Sequence, residues 1–366
     1  MRLECTKKLL DYIGVKPEKA VGAVEPLFGW TANLIILNRR KTLVVVHSAS
    51  RCMFLLHGLT AKMLPKLPEL ILAGIRILLR SEYVRPEIIE QYLEDCGRDV
   101  TFYGNSSRAA VASCNKACER VKMFSDLLEP GDLYQPWILP TLNEDMISKE
   151  NYAHAHELLL NLLRQRYGEN LQSCRAVELE IELLHTGCKR RVFVPENLNF
   201  YQLHNVLQGV FEWHDRHLHQ FVLEQDRYGR PVRIIALDEE EKLEEVECLN
   251  SLNTMVGEIF QKYKKIDYEY DFGDGWCHTV KCRRFIADHP DPYPSCIQAI
   301  GDAPMEDSGG PGGFAMIREI MQDPKHPEYR NVSEWVRGSL WRPLDVELLN
   351  RRIRNVHRRP VPVYYG

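Results

Sequence analysis

The sequence predicts an α+β chain of two domains, the second a β-grasp-like mixed sheet with an added hairpin and C-terminal helices. Three observations carry that expectation. At 366 residues the chain is long for one hydrophobic core. Strand-like alternation and helix-like spacing of apolar residues both occur in each half. Between the halves, a stretch holding Pro130, Gly131, Pro136 and Pro140 interrupts the periodic pattern. The expected division is an N-terminal domain at 1–129, a linker at 130–150 and a second domain at 151–366. Trp137 and Ile138 within the linker predict that it packs on something rather than hanging free.

The elements follow in order. Arg2–Cys5 reads as a short strand and Thr6–Ile13 as a short helix. Trp30–Leu37 and Thr42–His47 are β-rich runs on either side of Asn38-Arg39-Arg40-Lys41, which predicts a hairpin with a basic tip. Arg51–His57 is a candidate third strand. Helical spacing follows at Lys62–Arg80, Pro86–Cys96 and Ser107–Leu128, then at Asn151–Tyr167. In the second half, Val177–Leu184 and Arg191–Val194 form a hairpin around Thr186-Gly187. Asn199 caps a helix with Leu203, Val206, Leu207, Val210 and Phe211 at helical spacing. Gln220–Leu223 returns as a strand, Val232–Ala236 and the hairpin Lys265–Asp271/Trp276–Phe285 widen the sheet, and helices close the chain at Phe314–Gln322, Val332–Arg337 and Leu344–Val356.

Composition excludes some functions. Hydrophobic residues make up 45% and charged residues 27%, and the net charge is −4. That balance produces no global field for nucleic acid or an anionic membrane. The longest apolar candidate, Met63–Leu79, is broken by Pro65, Lys66, Pro68, Glu69 and Arg76, so no membrane span is expected. Met1–Ile13 carries five charged side chains and does not read as a signal peptide, so the expected compartment is the cytoplasm. Eleven scattered cysteines fit reduced thiols better than a disulfide framework. Cys114 and Cys118 share a helix face, and without further ligands they read as buried structural thiols.

The chemistry-bearing residues concentrate in the second half. His217 and His219 are placed on one strand face, and with His278 they are the candidate metal ligands, since imidazole nitrogens suit zinc and other transition ions. Asp271 and Asp274 flank a tight turn, and Glu306 and Asp307 lie in a Gly-rich loop. Brought together, these groups suit a divalent ion or proton transfer. The alternative is structural: Asp274-Gly275 is a good hairpin pair, Asp271 can cap turn amides, and histidines beside apolar strands commonly hydrogen-bond within the fold. Gly309-Gly310-Pro311-Gly312-Gly313 has no Walker lysine after it and reads as a flexible loop. Arg39, Arg40 and Lys41, and Arg351, Arg352 and Arg354 near the C-terminus, are candidate phosphate contacts, set against an acidic run at Glu239–Glu247.

Three segments resemble the plasmid pRiA4b ORF-3-like family. They are Leu203-His204 with Trp213, His217-Leu218-His219 and Phe221; Tyr270–Trp276 with His278; and Cys296, Gly301, Pro304, Glu306-Asp307, Gly309-Gly310 and Gly313-Phe314. The resemblance covers roughly residues 150–366. Leu9, Trp30, Ala32-Asn33-Leu34, Asn38 and Arg39-Arg40-Lys41 are similar to a separate family of unknown function found fused ahead of it. Members of the pRiA4b ORF-3-like family also appear as TnpR-like passenger proteins of insertion elements. The resemblance therefore implies an accessory protein of mobile-element origin. The binding candidates on its signatures are His204, Trp213, Asp271, Asp274, Trp276, Glu306 and Asp307. Relatives often carry cysteines where this chain has Ala303 and Ser308, so a thiolate-rich centre is not expected and imidazoles and carboxylates remain. Recombinase chemistry is not carried over, because no catalytic serine with attendant arginines and no DNA-binding helix pair is present. The expected function is a binding module for protein or nucleic acid. The alternative is a metal-dependent hydrolase built on the His/Asp/Glu cluster, with a divalent ion as the only cofactor the residues suggest.

Overall fold

The computed structural model describes residues 1–18, 22, 24–105, 108–148, 153–225, 231–235, 248–339 and 341–358. The acidic run expected at 239–247, Ser107, Asn151 and Ala236 lie outside them. The chain divides into two compact units, Met1–Ser173 and Cys174–Gly366. Both helices and strands build each unit, so the α+β, two-domain expectation holds. Among the described residues no helix is long and apolar enough to cross a membrane.

In the first unit, β1 (Arg2–Cys5) leads into α1 (Lys7–Ile13), capped by Thr6, whose hydroxyl accepts from the Leu9 amide. β2 (Trp30–Leu37), β3 (Arg40–His47) and β4 (Met53–His57) form an antiparallel meander. Asn38 and Arg39 make the β2–β3 turn at φ 47° and 61°, the left-handed pair that a two-residue hairpin needs. Next come α2 (Leu67–Ser81), α3 (Pro86–Asp95), β5 (Thr101–Gly104) and α4 (Arg108–Met123). The sheet order is β4-β3-β2-β1-β5, with β1 parallel to both neighbours. Cys114 and Cys118 are buried, and all eleven cysteines are free thiols.

The Pro-containing stretch is no linker. α5 (Leu139–Leu142), β6 (Met146–Ser148), β7 (Ala153–His154) and α6 (Ala155–Tyr167) belong to the first unit. Ile138, Leu139, Leu142, Leu159, Leu160 and Leu163 are part of its core. The Asn143 side chain bonds the Met53 amide (2.8 Å) and carbonyl (3.1 Å), which ties the stretch to β4. Prolines here set short helical starts, because a missing N–H costs nothing at a first turn.

The second unit opens as expected with the hairpin β8 (Cys174–Leu183) and β9 (Cys188–Pro195), then α7 (Phe200–Val210) and β10 (His219–Gln225). Asn199 and Gln202 form a reciprocal capping box at the start of α7. β11 (Pro231–Ile235), β12 (Cys248–Asn250), α8 (Val256–Lys262), β13 (Lys265–Tyr270), β14 (Trp276–His289), β15 (Ser295–Ile300), α9 (Gly310–Gln322), α10 (Tyr329–Gly338) and α11 (Val346–Ile353) complete it. The strand order is β12-β11-β10-β13-β14-β8-β9-β15. The β13–β14 hairpin therefore separates β10 from β8, and β10 never pairs with the first hairpin.

Strand register then selects what faces α7. His219 lies opposite Tyr270, Phe221 opposite Tyr268, Tyr268 opposite His278, and Tyr270 opposite Trp276. Directly opposed residues point to the same side of a sheet, so all six share one face. That face packs on α7: Phe200 meets Phe221 edge-on, and His204 sits over Tyr268.

Candidate functional site

Three chain segments converge at one end of this face: residues 211–218 after α7, the turn 271–275 between β13 and β14, and the loop 301–309 after β15. Hydrogen bonds stitch them together. The Tyr270 hydroxyl donates to Glu306 Oε1 at 2.5 Å and accepts from the Arg216 amide. Glu306 also accepts from the His214 amide, and its second oxygen lies 3.1 Å from His214 Nδ1. Trp213 Nε1 donates to the Pro304 carbonyl, and its ring stacks on Tyr270 at 4.9 Å. The Gly309 amide donates to Asp274 Oδ2, closing the loop onto the turn. Gly310, at φ 69°, passes so close that a Cβ there would sit 2.3 Å from the Asp274 carbonyl oxygen. The glycine run serves this close approach rather than flexibility.

Within this frame His217 Nε2 stands 3.6 Å from Asp271 Oδ2 and 3.2 Å from Asp307 Oδ1. The ring nitrogen is buried, yet neither oxygen is aligned to hydrogen-bond with it. Asp271 is held by its other oxygen, which accepts from the Gly273 and Asp274 amides. Asp271 and Asp307 both have left-handed backbones, at φ 56° and 60°. Aspartate tolerates that region better than most residues, and here it aims both carboxylates at one point.

A second group lies on α7 and β10. His204 Nε2 is 2.8 Å from Asp215 Oδ1, and His204 Nδ1 is 2.8 Å from the Tyr268 hydroxyl. The His219 ring stacks on His204 at 3.5 Å and 6°. Burial, with the neighbouring His204, pushes the His219 pKa down to about 3, so it stays neutral across the ordinary pH range. Burial and the Glu306 hydrogen bond hold the Tyr270 hydroxyl well above its usual pKa.

Among the described residues, His/Asp clusters that can hold a metal ion are His217-Asp271-Asp307 and His204-Asp215-His219. The three predicted metal histidines therefore separate. β10 begins at His219, so His217 sits in the preceding loop and the two do not share a strand face. His278 belongs to neither cluster. It is fully buried, lies 3.2 Å from the Tyr268 carbonyl and packs against Phe211 and Trp213. Trp276 is also fully buried and joins the core. Trp213, Asp274 and Glu306 hold the loops together, whereas His204, Asp271 and Asp307 offer ligand atoms. Sequence reasoning missed Asp215, Tyr268, Tyr270 and Gln208, whose roles depend on strand register and on a left-handed Asp215 at φ 55°.

A cleft of about 390 Å³ opens beside the first cluster, with Trp213, Arg216, Asp307, Trp335, Trp341 and Arg342 among its walls. The predicted phosphate-contacting cations are largely engaged. Lys41 Nζ lies 3.8 Å over the Tyr12 ring. Arg351 lies 3.7 Å from Glu347, Arg352 3.8 Å from Glu212, and Arg354 4.7 Å over the Tyr293 ring. Arg39 and Arg40 are exposed at their hairpin tip.

Comparison with known proteins finds matches to both halves of the chain. Residues 175–351 match the family described as plasmid pRiA4b ORF-3-like protein, and residues 2–158 match a domain of unknown function, DUF6933. The uncharacterized protein y4hQ of Sinorhizobium fredii is 34% identical over 166 residues, covering 44% of this chain and 81% of that one. The crystal structure of a protein of unknown function from Methanosarcina mazei shares 28% identity at a TM-score of 0.42, over 47% of this chain and 96% of that one. Through its second unit the chain belongs to the plasmid pRiA4b ORF-3-like family, with a DUF6933 domain ahead of it.

Proposed function

We propose that the chain is an accessory protein of mobile-element origin whose second unit binds an anionic ligand through a divalent ion held by His217, Asp271 and Asp307. One observation carries the reading. A buried imidazole nitrogen stands between two carboxylate oxygens at 3.2 and 3.6 Å without a hydrogen bond to either. Groups paired with each other would align; groups converging on a shared cation need not. Arg216 and Arg342 line the same cleft as Asp307, which suits a ligand that carries negative charge to the ion. Supporting origin, the family takes its name from a plasmid reading frame.

A metal-dependent hydrolase is the second reading. It is favoured by the count of protein ligands, since three leave coordination positions for water and substrate. Base-specific DNA reading is less supported, because most of the candidate arginines near the C-terminus are already paired within the fold.

Calorimetric titration of chelator-treated protein with Mn²⁺ tests the site. Wild-type chain is expected to bind one ion here. Asp307→Asn and His217→Ala should each weaken it at least ~10-fold, as loss of one of three ligands requires. Unchanged binding in both variants, or no binding by the wild type at millimolar Mn²⁺, would sink the proposal. Hydrolysis of a generic phosphate ester that depends on the same residues would select the second reading.

A further inference from the structure

The group on α7 and β10 is not explained by that reading. His204, Asp215, Tyr268 and Gln208 form a closed ring of hydrogen bonds. The Gln208 amide nitrogen donates to the Tyr268 hydroxyl at 3.2 Å, and its oxygen accepts from the Asp215 amide at 2.8 Å. The Tyr268 proton then has His204 Nδ1 as its acceptor, which leaves the proton on His204 Nε2, facing Asp215. A structural role accounts for these four residues. It does not account for His219, whose ring lies flat on His204 while its Nε2 is buried with no hydrogen-bond partner.

An unpaired buried ring nitrogen costs free energy unless something meets it. One ring nitrogen each of His204 and His219 and one carboxylate oxygen of Asp215 lie within 4.8 Å of one another. We infer that His204, Asp215 and His219 form a second metal site, separate from the one at His217, with the two-imidazole, one-carboxylate set that selects zinc, cobalt or ferrous iron over magnesium or calcium. On ion binding the His204 proton shifts from Nε2 to Nδ1 and points at the Tyr268 oxygen, while the Tyr268 hydroxyl keeps its own hydrogen and rotates it away from that nitrogen, so no net proton is lost from either group. Tyr268 and Gln208 then orient the ligand from behind, as outer-shell partners of metal-bound histidines commonly do. The 2.8 Å His204–Asp215 contact is the distance these ligands adopt when bonded directly to each other.

The test uses the full chain stripped by chelator and titrated with Co²⁺, read by visible d–d absorption. His217→Ala/Asp307→Asn removes the first site and is expected to retain one Co²⁺ equivalent. Adding His219→Ala should abolish it. Adding Asp215→Asn instead, at a side chain 47% exposed and therefore tolerant of change, should weaken it at least ~10-fold. Tyr268→Phe should lower the affinity with folding intact, and imidazole ¹H–¹⁵N spectra should show the His204 tautomer change when diamagnetic Zn²⁺ is added. Circular dichroism without metal separates misfolding from ligand loss. If the His217→Ala/Asp307→Asn chain binds no Co²⁺ while the wild type binds one, this inference falls and the site at His217 stands. If Co²⁺ binding survives that double change but is lost with His219→Ala, this inference stands whatever becomes of the first site. Equal binding with and without His219 and Asp215 overturns it.

Discussion

The histidines divide by what their nitrogens meet. His47 is fully buried in the first unit, with Nδ1 on the Ser50 hydroxyl at 2.8 Å and Nε2 on the Leu27 carbonyl at 2.9 Å. Both nitrogens are satisfied by neutral partners, so the residue serves the fold. Burial lowers its pKa from 6.5 to about 4, against a smaller opposing pull from the Leu27 carbonyl. The sign of the linkage follows. Between pH 6.5 and about 4 the unfolded chain holds the proton and the folded chain does not. Stability from His47 is complete above pH 6.5, declines as pH falls through that window, and changes no further below it. One such proton gives a slope of about 1.4 kcal/mol per pH unit. Urea denaturation of the first unit at pH 7 and pH 5 should show this loss, and His47→Gln should flatten it. An equal slope in that variant would assign the loss to other groups.

At the scale of elements, α2 rests against β4 through a glycine. Gly74 faces the Phe54 ring, and a Cβ there would fall 2.1 Å from Phe54 Cε2. Helix propensity alone makes Gly74→Ala stabilising by roughly 1 kcal/mol. The packed ring reverses the sign: overfilling such a contact costs about 1–3 kcal/mol, so the variant should unfold at lower denaturant. A higher midpoint would mean that Phe54 turns aside freely. No sequence pattern marks that contact, whereas other elements were legible because their signals are local. Asn199 with Gln202 announces a helix start, and Trp30–Leu37 with Asn38-Arg39 announces a hairpin. β5 was not legible: four residues on a sheet edge are too short to show alternation. β15 was missed because prolines precede it and its register shifts between Cys296 and Gln298. The site followed the same division. Asp271 and Asp274 stood out beside a turn pair, but the union of His204 with Asp215 and Tyr268 depends on which strand lies next to which.

For the whole molecule, the division between units is the feature with the plainest consequence. The proline-rich stretch suggested a boundary near residue 130, because prolines mark both linkers and short helical turns. Burial decides between them. Six aliphatic side chains from Ile138 to Leu163 lie in the first core, and Asn143 bonds both backbone groups of Met53. At about 2 kcal/mol for each buried aliphatic side chain, their removal costs as much as the entire stability of a typical domain, roughly 5–15 kcal/mol. A fragment ending at residue 129 should therefore be unfolded or aggregated, with no cooperative thermal transition. A fragment of residues 1–173 should melt cooperatively, since its contacts cluster within that range. Residues 174–366 should likewise fold alone and, on the reading given above, retain ion binding at His217, Asp271 and Asp307. Far-UV circular dichroism and calorimetry on the three fragments check this. A cooperative transition in residues 1–129 would show that β1 to β5 and α1 to α4 suffice as a core, and would restore the earlier boundary.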